Sequence, residues 1–163
     1  MELSKIMEKA INKQIQAEYY SSYMYLAMAA YCDSVNMPGY AHWLREQAAE
    51  ELEHALKFYA YIVERGGRVV LEAIQQPPVE YASLLAVAEE TYAHEQKVTS
   101  LIHGLYEVAL TEKDYASQNF LQWYIKEQVE EEDHARTIVD QFEMIGDHPN
   151  GLFMLDRQLG ARE

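Results

Sequence analysis

Apolar positions along this chain recur at alternating steps of three and four, the spacing that lines the inward face of a helix in a bundle. One stripe runs through Ile11, Ile15, Glu18, Ser22, Tyr25 and Ala29, and a second through Leu44, Gln47, Glu51, His54, Phe58 and Tyr61. A third takes in Leu84, Ala88, Thr91, Glu95, Val98, Ile102 and Leu105, and a fourth Leu121, Tyr124, Gln128, Glu131, Ala135, Ile138 and Phe142. Glycine and proline fall between the stripes. Met37-Pro38-Gly39 separates the first helix from the second, and Gly66-Gly67 ends the second with the left-handed cap that glycine supplies. Pro77-Pro78 sits in a connection from Arg68 to about Glu80, where a helix cannot continue. The third helix is expected from about Tyr81 to Leu110, and the fourth from an Asp114 N-cap to about Gly146. Pro149 then opens a short amphipathic helix that Gly160 closes.

The junctions predict the topology. Short turns between helices one and two, and between three and four, make two antiparallel hairpins. The connection between two and three is long enough to run the length of a bundle. The pattern therefore predicts an all-α four-helix bundle with one long crossover and a short fifth C-terminal helix, in a single domain over residues 1–163.

Composition narrows the function classes. A net charge of −14, from 27 acidic residues against 13 basic ones, argues against nucleic acid and anionic membranes as partners, since both need a cationic face. The same charge suits a cation binder, although acidic helices are commonly just solvated ones. The one cysteine, Cys32, leaves no disulfide framework and no cysteine-based zinc site within the chain. Neither a signal-peptide core near the N-terminus nor a membrane-length apolar run is visible, so a cytoplasmic protein is expected.

The chemistry lies where polar residues interrupt the stripes. Each of the four helices carries a glutamate roughly midway along its apolar seam: Glu18, Glu51, Glu95 and Glu131. A lone buried carboxylate costs several kcal/mol, so four together must be paired or bound to metal, and few basic residues occupy the stripes. Glu51 and His54 stand three apart on one face, and Glu131 and His134 repeat that arrangement on the fourth helix. Two single glutamates and two Glu-x-x-His pairs make the ligand set of a di-iron carboxylate bundle. Oxygen-rich donors with one imidazole per metal favour iron or manganese over structural zinc.

Three segments carry a family likeness: Ala17-Glu18 to Ala30, Glu50-Glu51-Leu52-Glu53-His54-Ala55, and Phe120 to Tyr124 continuing through Glu127 to Glu132. They resemble the non-haem ferritins of bacteria and archaea, over nearly the whole chain. The resemblance implies a ferritin-like fold and a hollow homo-oligomeric shell of twenty-four subunits. It also implies oxidation of ferrous iron by dioxygen or hydrogen peroxide and storage of the ferric product as mineral.

Carried over by position, Glu18, Glu51 and His54 resemble a first iron site, with Glu51 bridging to a second iron held by Glu95 and Glu131. Gln128 would lie beside the second iron, and Tyr25 would give a hydrogen bond or an electron to the oxygen chemistry. Glu50, Glu127 and Glu130 match a third iron site. His134 is shared with haem-containing relatives, whereas many non-haem ones lack a histidine there; it would either ligate the second iron or turn toward the third-site glutamates. Leu52 stands where those haem proteins place a ligating methionine, so no haem is expected.

The other histidines, His42, His94, His103 and His148, lie off the paired pattern and read as surface or interface residues. Tyr19, Tyr20 and Tyr23 read as packing at subunit interfaces. Leu152, Phe153, Leu155 and Leu159 give the tail an apolar face, to dock on neighbouring tails or fold back on its own bundle. The rival functions are a bacterioferritin-like or other di-iron oxidase or peroxidase on the same bundle, or a scaffold whose ligands are vestigial.

Overall fold

The computed structural model describes residues 2–163 and contains five helices. These are α1 (Lys5–Ser34), α2 (Pro38–Glu64), α3 (Leu84–Thr111), α4 (Tyr115–Ile145) and α5 (Pro149–Leu159). No strand occurs among the described residues. Local chemistry starts three of them: Ser4, Ser83 and Asp114 each accept a hydrogen bond from a backbone N–H of the first turn. The third helix begins at Leu84, a few residues later than its apolar pattern suggests, because Ser83 takes the N-cap and Tyr81 turns into the core. At the end of the second helix Gly66 adopts φ 70°, the left-handed conformation expected there.

α1 packs on α2 and α3 on α4, the two hairpins meet through α1 and α3, and α5 lies across α2 and α4. The core forms two apolar clusters. One gathers the ends of α1 and α4 with the starts of α2 and α3, including Met28, Tyr40, Leu44, Val87 and Phe142. The other gathers the opposite ends, including Met7, Ile11, Phe58, Ile62, Ile102 and Leu121. The four seam glutamates lie in a polar layer along the same seams.

These clusters require α2 to end at one pole and α3 to start at the other, a span of about 40 Å for a helix of this length. The crossover covers it by running along α1. Glu8 accepts from Arg68 N at 2.9 Å, Asn12 exchanges bonds with Arg68 O and Val70 N, and Gln16 donates to Ala73 O at 2.7 Å. These three side chains repeat every four residues on one face of α1, so the helix presents a polar rail for a strandless segment.

The tail folds back. Leu155 and Leu159 are buried in the first cluster, and Leu152 packs against it, while Phe153 stays exposed. The Asp156 carboxylate accepts from Tyr40 N at 2.9 Å and fastens α5 to the start of α2.

Candidate metal centre

Midway along the bundle, Glu18, Glu51, Glu95 and Glu131 are all buried, together with His54, Gln47 and Gln128. Ligand atoms of Glu18, Glu51 and His54 lie within 4.8 Å of one another, close enough to converge on a single cation. His54 Nδ1 stands 3.1 Å from Glu51 Oε2, and the ring is held edge-on by Trp123 and Tyr124. The Tyr124 hydroxyl donates to His54 O at 2.8 Å.

Each remaining carboxylate has a neutral partner. Gln14 Nε2 donates to Glu18 Oε1 at 2.8 Å, and Gln47 Nε2 to Glu131 Oε2 at 2.9 Å. Gln128 Nε2 donates to Glu95 Oε2 at 3.1 Å, and the Tyr25 hydroxyl donates to Glu95 Oε1. Among the described residues no lysine or arginine forms an ion pair with any of the four glutamates. Glu18 Oε2 is buried with no hydrogen-bond partner. An orphaned carboxylate oxygen beside a second carboxylate and an imidazole is what a cation would satisfy.

The electrostatics agree. Burial, reinforced by neighbouring carboxylates, holds the Glu18 and Glu51 carboxyls well above the usual range. Burial and the Glu95 charge push Glu131 up to about 7. Glu95 is also raised by burial, against the hydrogen bonds from Tyr25 and Gln128. The Tyr25 phenol is itself raised well above its ordinary value by burial and by Glu95, so it stays a proton donor. Four carboxyls that resist ionising together form a site where a divalent cation would displace their protons and balance their charge.

The other expected residues lie further out. Glu50 and Glu127 are half-buried and Glu130 is exposed. Glu50 accepts from Arg162 at 2.7 Å, and Glu130 stands 3.9 Å from Lys126. His134 is exposed and stands outside the Glu18–Glu51–His54 group. The step from Glu131 to His134 turns about 60° round the helix axis. On α2 the same step carries His54 against Trp123; on α4 it carries His134 to a surface depression with Trp43 and Arg162.

His94, read as a surface or interface residue, is partly covered within the subunit. It is half-buried between α1 and α3, with Nε2 2.7 Å from Ser21 Oγ and its ring near Tyr20 and Tyr25. Burial and then Lys97 push it down to about 4, so it is neutral. Sequence reading gave no role to Gln14 or Arg162. Gln14 was findable, four residues before Glu18 on the same face. Nothing in the local sequence flags Arg162.

Comparisons with known proteins accord with this architecture. The family described as Ferritin-like domain matches residues 8–145. A Haemophilus influenzae protein named as a probable bacterial non-heme ferritin-like protein is 44% identical over 158 residues, covering 97% of this chain and 96% of that one. A bacterial non-heme ferritin of Staphylococcus epidermidis is 42% identical over 160 residues, covering 98% and 96%. The crystal structure of an open pore ferritin from the archaeon Archaeoglobus fulgidus superposes with a TM-score of 0.98 at 49% identity, covering 99% of this chain and 98% of that one. With a family match over most of its length and full-length relatives of this identity, the chain belongs to the ferritin family, among the non-haem ferritins of bacteria and archaea.

Proposed function

We propose that this chain is an iron-storage subunit with ferroxidase activity, a single domain that binds two ferrous ions among Glu18, Glu51, His54, Glu95 and Glu131. The observation that carries the reading is the buried carboxylate group without a cationic side chain, one of whose oxygens lacks any partner. Family membership supports iron as the ion.

Two ferrous substrate ions side by side can each give one electron to a dioxygen molecule. With two protons, that yields two ferric ions and one hydrogen peroxide. The residues prepare for this. Gln14, Gln47 and Gln128 orient carboxylates without adding charge. Tyr25, protonated and buried against Glu95, stands ready to give a hydrogen bond or an electron. Glu50, Glu127 and Glu130 offer oxygen donors for a third ion on its way out. The ferric product would collect in the interior of a homo-oligomeric shell, expected to hold twenty-four copies.

The test is aerobic addition of ferrous iron to the metal-free assembly, following oxygen uptake and then imaging the iron core. Glu18→Ala and Glu51→Ala should each slow the initial uptake by at least about tenfold, since even residues that only support metal ligands cost that much. Wild-type rates in both variants would sink the proposal. Uptake without a retained core would favour an oxidase that does not store iron.

A further inference from the structure

Gln47 bridges the buried centre and the end of the chain. Its Nε2 donates to Glu131 Oε2 at 2.9 Å, and its Oε1 accepts from Arg162 Nη1 at 2.6 Å. The second arm of the same guanidinium donates to Glu50 Oε2 at 2.7 Å. An arginine can only donate, so Gln47 must turn its oxygen to Arg162 and its amide nitrogen to Glu131. Without the guanidinium, the amide is free to turn over and present an oxygen to a carboxylate.

Arg162 lies beyond α5, and several contacts carry it to this place. Asp156 ties α5 to Tyr40 N, and His42 Nε2 stands 2.7 Å from Arg162 O. The guanidinium lies over the Trp43 ring, 4.9 Å from its centroid, and Nη1 donates to Trp43 O at 3.4 Å. The tail is thus pinned across the first turns of α2. Glu50, the other partner, adds to the negative field at both Glu51 and Glu131. Its charge belongs to the centre even though its side chain is partly solvated.

We infer that Arg162 is a positioning residue of the metal centre, a tethered cation that aims Gln47 at Glu131 and occupies Glu50 until a metal ion displaces it. This rests on the metal reading above. The two duties have opposite consequences. Removing the guanidinium should free Glu50 for an incoming cation and, at the same time, loosen the position that depends on Glu131.

The test is an anaerobic titration of the full-length assembled protein with cobalt(II), read by its visible absorption and by calorimetry. In Arg162→Ala, the weakest class of bound cobalt should tighten about two- to fivefold, as expected for loss of a competing, partly exposed ion pair. The equivalent that uses Glu131 should loosen by a similar factor, the worth of one oriented hydrogen bond. Arg162→Lys keeps a charge near Glu50 but lacks the fork, so only the Glu131 class should loosen. This variant also serves if Arg162→Ala does not assemble.

The inference is overturned if neither class moves in the alanine variant, or if both move in the same direction. It is equally overturned if the lysine variant tightens the weak class as alanine does. Wild-type protein that takes up no cobalt, or uptake untouched by Glu51→Ala, would instead overturn the metal reading itself, and this inference with it.

Discussion

At the start of α4, Asp114 performs two tasks with one carboxylate. It caps the helix through Ser117 N at 3.1 Å and meets Arg65 at the end of α2, with both side chains largely buried. Arg65 also donates to Tyr61, whose hydroxyl lies 2.9 Å from Ser117 Oγ. Burial pushes the Asp114 carboxyl up, but the bonds from Arg65 and Ser117 outweigh it and hold it below its ordinary 3.8. A folded-state value below the unfolded one adds stability above the unfolded value, and that stability is lost as pH falls through the folded value. Asp114→Asn keeps a capping oxygen and removes the charge, so it should cost about 1 kcal/mol near neutral pH. The gap to wild type should close as pH drops below the ordinary 3.8 and through the lower folded-state value, measured by denaturant unfolding. A gap that stays constant with pH would mean the charge contributes nothing.

At the scale of elements, α5 is the part whose placement was open in the sequence. Its apolar residues fitted either a neighbour's tail or its own bundle, and the fold seats Leu155 and Leu159 in the bundle core. Gly39 makes the seat. A β-carbon there would lie 1.8 Å from Asp156 O, and backbone cannot yield as a side-chain tip would. Gly39→Ala should therefore lift α5 from α2 at a cost of about 1–3 kcal/mol. Limited proteolysis should then cut the tail well before the bundle, whereas wild type should be cut no faster there than elsewhere. Equal tail cleavage in both would show the close approach to be dispensable. The helix bounds were legible because caps and glycines are local signals; the late start of α3 was not, because Tyr81 is drawn into the first core cluster, against the Tyr31 ring.

Over the whole molecule, one face of α2 is apolar yet uncovered. Leu52, Leu56, Tyr59 and Val63 follow the helical repeat, and each is at least 39% exposed. Single exposed apolar residues need no explanation, but a continuous stripe of them marks an association surface. Burying one leucine is worth about 1.5–3 kcal/mol, and a charge at that place would have to be desolvated as well. Leu56→Glu should shift the native mass toward smaller species while leaving the helix content of the subunit unchanged. An unaltered native mass would remove this face from the assembly.

The sequence by itself determined the all-α bundle, its long crossover and the four glutamates that share its core. Helical periodicity is local, so a residue's place in the three-four repeat tells which way it faces. Glu18, Glu51, Glu95 and Glu131 were all legible for that reason. Only the tertiary structure decided that His54 turns inward while His134 faces solvent, although both stand three residues after a glutamate. It also decided that His94 sits half-buried against Ser21 and that Arg162 reaches Gln47. The physical reason is common to the three. Each depends on what a distant segment packs against it, and a helix's own repeat carries no record of its neighbours.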